Sequence, residues 1–214
     1  MKKTACIVAI CLMFLTNMFA QDWSSSIYSV GKLYPGYIIK NDGTKTEGYL
    51  EAQYRASNGP IGSSNQDKVI FFTDPKNKKT KITYKPEDLK GYKIADKVYK
   101  TMNYSGGLFA KPLRFLLLVN DGHIARYVWY DQNGYEGINI PKFDQKLILQ
   151  KGDEKPVELS SFTLGFAKKM SEYVSDYKEQ ADKIANKDKN YGLLKIYDII
   201  DEYNAWYLKN NTKK

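Results

Sequence analysis

A β-hairpin is predicted over residues 114–131, RFLLLVNDGHIARYVWYD, and it constrains the fold more than any other part of the chain. Residues 115–119 form an apolar run, and Asn120-Asp121-Gly122 supplies residue types that tolerate the positive φ of a tight turn. Beyond the turn, two alternating sets line opposite faces of a strand: Ile124, Arg126, Val128 and Tyr130, and Ala125, Tyr127, Trp129 and Asp131. Because the first arm is apolar on both faces, we expect a central strand that is covered on both sides.

The rest of the chain divides into a β-region and a helical region. A second hairpin surrounds Asn41-Asp42-Gly43, residues 55–67 form a polar loop, and about nine to eleven short strands are spaced as in a sandwich or barrel. From residue 160 the apolar residues recur on one helix face: Phe162, Phe166, Met170, Tyr173 and Tyr177. We therefore predict a mainly β protein with C-terminal α structure. An antiparallel β-sandwich or barrel-like body over residues 21–159 is followed by two or three packed helices over residues 160–214, and we expect the helices to pack along residues 115–119.

The first twenty residues have the features of a signal peptide. Lys2 and Lys3 precede an apolar segment over residues 5–15 that is too short to span a bilayer, and we expect cleavage after Ala20. Cys6 and Cys11 would leave with this leader, so the exported chain would hold no cysteine and no disulfide. We expect no cofactor, no metal and no transmembrane span after cleavage.

The net charge and the type of basic residue bear on whether the protein binds nucleic acid. Cleavage removes two lysines and no acidic residue, so the formal net charge falls from +9 to +7. The sequence contains only three arginines, Arg55, Arg114 and Arg126, and its lysines are scattered. Since proteins that read phosphates or bases favour arginine, we expect no nucleic-acid partner and a lysine-rich solvated surface instead.

Catalytic motifs are missing from the sequence. The single histidine, His123, follows a turn glycine, and no serine lies in a G-x-S-x-G context. Asn186, Asp188 and Asn190 alternate as in a calcium loop, but Tyr191 precedes the glycine and Tyr197 occupies the place of the closing glutamate. Asp198 shares a helix face with Asp201 and with Glu202, in surroundings typical of solvated helix charge. We therefore predict no catalytic, cofactor-binding or metal-ligating residue.

Aromatic residues are the most distinctive part of the composition, with 18 tyrosines and three tryptophans. Tyrosine and tryptophan are enriched at interfaces because they combine an apolar ring with a polar group, although strand propensity and core packing account for most of them here. We predict that the residues contacting a partner or ligand are Trp129, Tyr127, Trp206 and Tyr203.

Several segments of the chain together form a recognisable series. The leader ends in Ala-Gln, and it is followed by PGYIIKNDGTKTEGYLE (35–51), KVIFF (68–72), YKPEDLKGYKI (84–94), FLLLVNDGHIARYVWY (115–130) and IIDEYNAWY (199–207). In this series the chain resembles a group of uncharacterised exported β-rich proteins of the Bacteroidota. The resemblance covers most of the exported chain, but its motifs are turns and apolar segments. It implies export, a β-rich body and a helical C-terminal segment, and it supplies no catalytic residue.

Three functions are consistent with the sequence. The first is an exported, non-enzymatic cell-envelope binding or assembly protein that acts through protein contacts, in the periplasm, at the outer-membrane periphery or outside the cell. The second is a lipocalin-like β-barrel carrier of a small apolar ligand. The third is a hydrolase with a carboxylate site that no motif reveals. A cavity lined by apolar side chains favours the carrier, and an interior filled by large side chains favours a packed sandwich.

Overall fold

The computed structural model describes residues 28–53, 64–104, 113–136 and 140–211. The predicted leader and most of the predicted 55–67 loop lie outside the described residues. The strands are β1 (Leu33–Lys40), β2 (Lys45–Glu51), β3 (Val69–Phe72), β4 (Lys81–Tyr84), β5 (Leu89–Ile94), β6 (Lys97–Asn103), β7 (Leu113–Asn120), β8 (Ile124–Glu136), β9 (Ile140–Lys151) and β10 (Val157–Glu158). The α-helices are α1 (Phe166–Tyr173), α2 (Lys178–Ala185) and α3 (Ile196–Asn211).

All ten strands belong to one antiparallel sheet, in the order β10-β9-β8-β7-β6-β5-β1-β2-β3-β4. Most neighbours in the sheet are also neighbours in the chain, except that β5 pairs with β1 and so places the β1–β2 hairpin beyond it. The predicted fold class, a mainly β antiparallel body followed by packed helices, is confirmed. Within the described residues, no helix combines the length and apolar character that a membrane crossing requires.

The central hairpin forms as predicted, with β7 paired to β8 and with both faces of β7 buried. Its glycine has a different role from the one expected, because Gly122 does not adopt a positive φ. A Cβ at Gly122 would instead lie 2.5 Å from the side-chain nitrogen of Asn204, so helix α3 approaches the turn too closely for any side chain. In the second predicted hairpin, Gly43 does adopt a positive φ of 88°.

The sheet curls so that strands distant in its order meet across one apolar core. Tyr92 of β5 stacks on Tyr99 of β6 at a ring distance of 4.6 Å and meets Phe115 of β7 edge-on at 5.0 Å. The same core contains Ile38, Leu50, Phe71 and Val128, from β1, β2, β3 and β8. Large side chains therefore fill this part of the interior.

Two buried amides, Asn65 and Gln66, fill one end of the curled sheet. The register of β7 with β8 runs from Asn120 opposite Arg126 to Leu117 opposite Val128, which leaves a gap between Phe115 and Tyr130. Gln66 occupies this gap: its side chain accepts from the Tyr130 amide at 2.7 Å and donates to the Tyr130 carbonyl at 3.0 Å, while its own carbonyl accepts from the Phe115 amide at 3.1 Å. Asn65 donates to the Glu51 carbonyl at the end of β2. This turn therefore joins the two sides of the body.

The helices cover the sheet at Ile124 and Leu149, on β8 and β9, rather than along residues 115–119 as predicted from the sequence. These two side chains share an apolar cluster with residues of all three helices, including Phe166, Met170, Ile184, Ile200 and Tyr203. The predicted surface is already occupied, because Phe115 and Leu117 face the core and Leu116 lies in a third cluster on the opposite face.

Polar contacts fix where helix α3 lies. The Asn204 side chain accepts from the Ile124 amide at 2.8 Å and donates to the Ile124 carbonyl at 3.0 Å, as a paired strand would. His123 stacks on Tyr207 at a ring distance of 3.5 Å. These contacts hold the middle of α3 against the β7–β8 hairpin, and the first turns of α3 lie beside β8 and β9, where the candidate site lies.

Candidate functional site

The four aromatic residues predicted to make contacts lie in two separate clusters. Tyr127 and Trp129 are buried on one face of the sheet, where Trp129 meets Tyr104 edge-on and the Arg114 guanidinium lies 4.4 Å from its ring centre. Tyr203 is buried beneath α3, and Trp206 is half-buried and stacks on Tyr177 at 4.5 Å. The structure does not bring the four together, and their assignment as contact residues stays a prediction.

His123 lies against the helices rather than in a cleft with a nucleophile. Burial, followed by the nearby Lys151 charge, lowers the pKa of His123 below its ordinary value, while Asp176, Glu154 and Asp153 oppose that shift. Its ring is covered by Tyr207 on one side, at a distance that leaves no room for a substrate between them. This contact holds the β7–β8 turn against α3.

A cavity of about 350 Å³ lies between the sheet and α3. Its wall is apolar and comes from three adjacent strands, with Val119 on β7, Val128 on β8, and Leu147 and Leu149 on β9. Its polar residues are Asn120, Arg126 and Gln145 on the strands and Tyr197, Asp198 and Asp201 on the first turns of α3. We call this cavity the Arg126 pocket.

Arg126 is placed in the pocket by the alternation of β8. It lies between Ile124 and Val128 on the face of the strand that points toward the core, and the whole residue is only 9% exposed. Its Nη2 lies 3.4 Å from Asp201 Oδ1, and its guanidinium lies 4.9 Å from the centre of the Tyr197 ring. Its Nε is buried and has no hydrogen-bond partner among the described residues. A cation of this kind is seldom buried without full pairing.

Two carboxylates stand at the opening of the pocket. Their side chains are more exposed than that of Arg126, at 54% for Asp201 and 67% for Asp198. Burial raises the pKa of the Asp201 carboxyl, and although the Arg126 charge opposes this shift, Asp198 adds to it. Asp198 also forms a salt bridge with Lys195 at 2.9 Å. The pocket thus has a cationic interior, an apolar wall and an acidic opening.

Sequence reasoning identified the parts of this site without joining them. The alternation along β8 placed Arg126 on the same strand face as Ile124 and Val128, which means that a charged side chain points into the core. From the sequence, however, the arginines were considered only as possible nucleic-acid contacts. Asp198 and Asp201 were recognised as sharing a helix face. The signal that could have found the pocket is an arginine on the inward face of a strand otherwise lined by apolar residues.

Among the described residues, no three His, Cys, Asp or Glu side chains converge as they would around a metal ion. A larger groove of about 930 Å³ runs beside the start of α1 and the connector before α3, with Phe166, Lys168, Asp188 and Tyr191 among its lining residues.

No protein-family model matches the chain, and neither a curated protein nor a solved structure is significantly similar to it.

Proposed function

We propose that this chain is an exported, non-enzymatic binding protein that holds a small ligand in the Arg126 pocket. The observation that carries the proposal is a buried, incompletely paired arginine in a cavity with an apolar wall. Small-molecule sites are typically concave and mostly apolar, with a few polar groups that orient the ligand. The predicted leader supports export, and the resemblance to exported Bacteroidota proteins supports a place in the periplasm or at the outer-membrane periphery.

Filling the pocket tests this function. In the Leu147→Trp variant, a larger side chain would occupy the space between β9 and α3, because Leu147 lines the pocket and is already partly buried. We expect a small molecule to be extracted with solvent from the protein purified from its own host, and to be absent from the variant. Circular dichroism would establish that the variant is folded. Recovery of the same molecule in the same amount from both proteins would contradict the proposal.

A second candidate function is envelope assembly through protein contacts, and exposed leucines favour it. Leu164 is 81% exposed and Leu194 is 97% exposed, and they lie one and two residues along the chain from Gly165 and Gly192, which line the larger groove. A photocrosslinking residue at each position should give one discrete adduct in exporting cells if this face binds a partner. Ile82, 43% exposed on β4, is the matched control position. Equal labelling from all three positions would reject the assembly function.

A further inference from the structure

The Arg126 guanidinium has binding capacity that its neighbours do not use. A guanidinium carries five N–H donors in a planar fork that suits a carboxylate. Its contact with Asp201 is 3.4 Å long, whereas a charge-assisted hydrogen bond is typically about 2.7–2.9 Å. Its Nε is buried without a partner among the described residues. Arg126 therefore holds one loose ion pair, and its hydrogen-bonding capacity is only partly used.

Another buried cation, Lys97 on β6, shows how such a charge is otherwise accommodated in this protein. The Lys97 ammonium donates to Asp96 at 3.2 Å and lies 5.7 Å from the centre of the Tyr28 ring. Lys97 and Asp96 line neither the Arg126 pocket nor the larger groove. Arg126 differs because it lines an open volume, so a group entering that volume can pair with its guanidinium.

The structure assigns an amphipathic carboxylate as the ligand of this pocket, an inference that rests on the proposed function. The ligand carboxylate binds Arg126 in place of Asp201, and the apolar body lies against the valine and leucine wall. A carboxylate suits the site because it takes two parallel donors of the fork, which Asp201 does not do at its present distance.

The size of the pocket limits the apolar body of this ligand. A volume of about 350 Å³ is near the lower end of the range of small-molecule sites, which runs from about 300 to 1,000 Å³. The wall contains valine and leucine and no charged residue other than Arg126 at its inner end. A short alkyl chain or a single aromatic ring fits this space, and a full-length phospholipid does not.

Asp201 acts in this account as a replaceable partner of Arg126. Its side chain is half exposed on α3, so it can turn toward water when a ligand arrives. The alternative is a ligand cation held by the two carboxylates at the opening. That arrangement is less favourable because Asp198 already pairs with Lys195 and because the cation would face Arg126.

Three probes of matched length test the inference: octanoate, octanol and octylamine. Each is titrated calorimetrically into the leader-free chain and into Arg126→Met, Arg126→Lys and Asp201→Asn variants. Arg114→Met is the matched control, because Arg114 also lies on a strand and contacts an aspartate, Asp67, but does not line the pocket. Circular dichroism establishes that each variant is folded.

We expect octanoate to bind, with octanol and octylamine weaker by roughly tenfold or more, as for loss of a hydrogen bond to a charged group. Arg126→Met should weaken octanoate binding by a similar factor, and Arg126→Lys, which keeps the charge without the fork, by less. Asp201→Asn should tighten it by roughly twofold to fivefold because the competing carboxylate is gone. Arg114→Met should leave it unchanged.

Each contrary result has a defined meaning. Octanol binding as tightly as octanoate, or octylamine binding best and losing affinity in Asp201→Asn, would overturn the carboxylate assignment. So would the absence of binding by all three probes. If Arg126→Met does not fold, the octanoate affinities of Arg126→Lys and Asp201→Asn still test whether a carboxylate binds Arg126. The proposed function fails separately, when the Leu147→Trp variant retains the extracted molecule.

Discussion

At the residue scale, two side-chain amides complete backbone hydrogen bonding that the sheet leaves unfinished. Gln66 pairs with both backbone groups of Tyr130, and Asn204 pairs with both backbone groups of Ile124. An amide can do this because it carries a donor and an acceptor with the same geometry as the peptide group. Both amides join segments that are more than sixty residues apart in the chain.

Replacing Gln66 by leucine should destabilise the protein. The side chain has no exposed surface, and its loss would leave the Tyr130 amide and carbonyl without these partners in a buried position. Each unsatisfied group costs roughly 1–3 kcal/mol, so the unfolding midpoint in urea should fall clearly. Gln150→Leu is the matched control, because the Gln150 bond to the Glu154 carbonyl is exposed. Equal midpoints for the two variants would show that Gln66 does not act as described.

At the element scale, the helices are tied to the sheet by a polar network centred on Asp176. Lys151 at the end of β9 donates to Asp176 at 2.7 Å and to the Tyr173 carbonyl at 2.8 Å, and the Tyr203 hydroxyl donates to Asp176 at 2.5 Å. Burial alone would raise the pKa of Asp176, but the hydrogen bonds from Lys151 and Tyr203 and the Lys151 charge outweigh it and lower the pKa. The network therefore needs an ionised carboxylate.

This network should make the helical layer sensitive to acid. Because the folded-state pKa of Asp176 lies below its unfolded value, its contribution to stability is present above the unfolded pKa and is lost as pH falls through the folded pKa. The wild type should therefore lose more stability than Asp176→Asn between about pH 5 and about pH 3, measured as urea midpoints. Asp153→Asn, which alters an exposed carboxylate nearby, should behave as the wild type. Parallel losses in all three proteins would contradict this role.

The strands and helices were easier to predict from the sequence than the contacts between them. Periodicity predicted the β7–β8 hairpin, the β1–β2 hairpin and the helical region because those signals are local. It did not predict that α3 meets Ile124 and Leu149, since β7 is apolar on both faces and nothing local distinguishes an occupied surface from a free one. The Gln66 contacts could not be predicted either, because they depend on where the β7–β8 pairing ends. Arg126 could be recognised as a candidate binding residue only from the structure, in which α3 forms one side of its pocket.

At the scale of the whole molecule, the sheet and helices share a core and should unfold together. Met170 of α1 is fully buried in the cluster that contains Ile124 and Leu149 of the sheet. Met170→Ala should cost about 2–5 kcal/mol of unfolding free energy. Hydrogen exchange should then accelerate in β7 and β8 as well as in the helices, whereas Lys168→Ala, an exposed change on the same helix, should alter neither. Faster exchange in the helices alone would show that they form a separate folding unit.

Strand β4 forms one edge of the sheet, and this edge affects how copies of the protein can associate. A strand at the end of a sheet offers backbone groups to which another chain can add, and this is a common route to aggregation. At the opposite end β10 has two residues, whereas β4 has four. Lys78, Lys79 and Lys85 flank β4, and Lys81 is its first residue. Part of the positive charge of this chain therefore works as repulsion between neighbouring copies, at the edge where strand addition would otherwise begin.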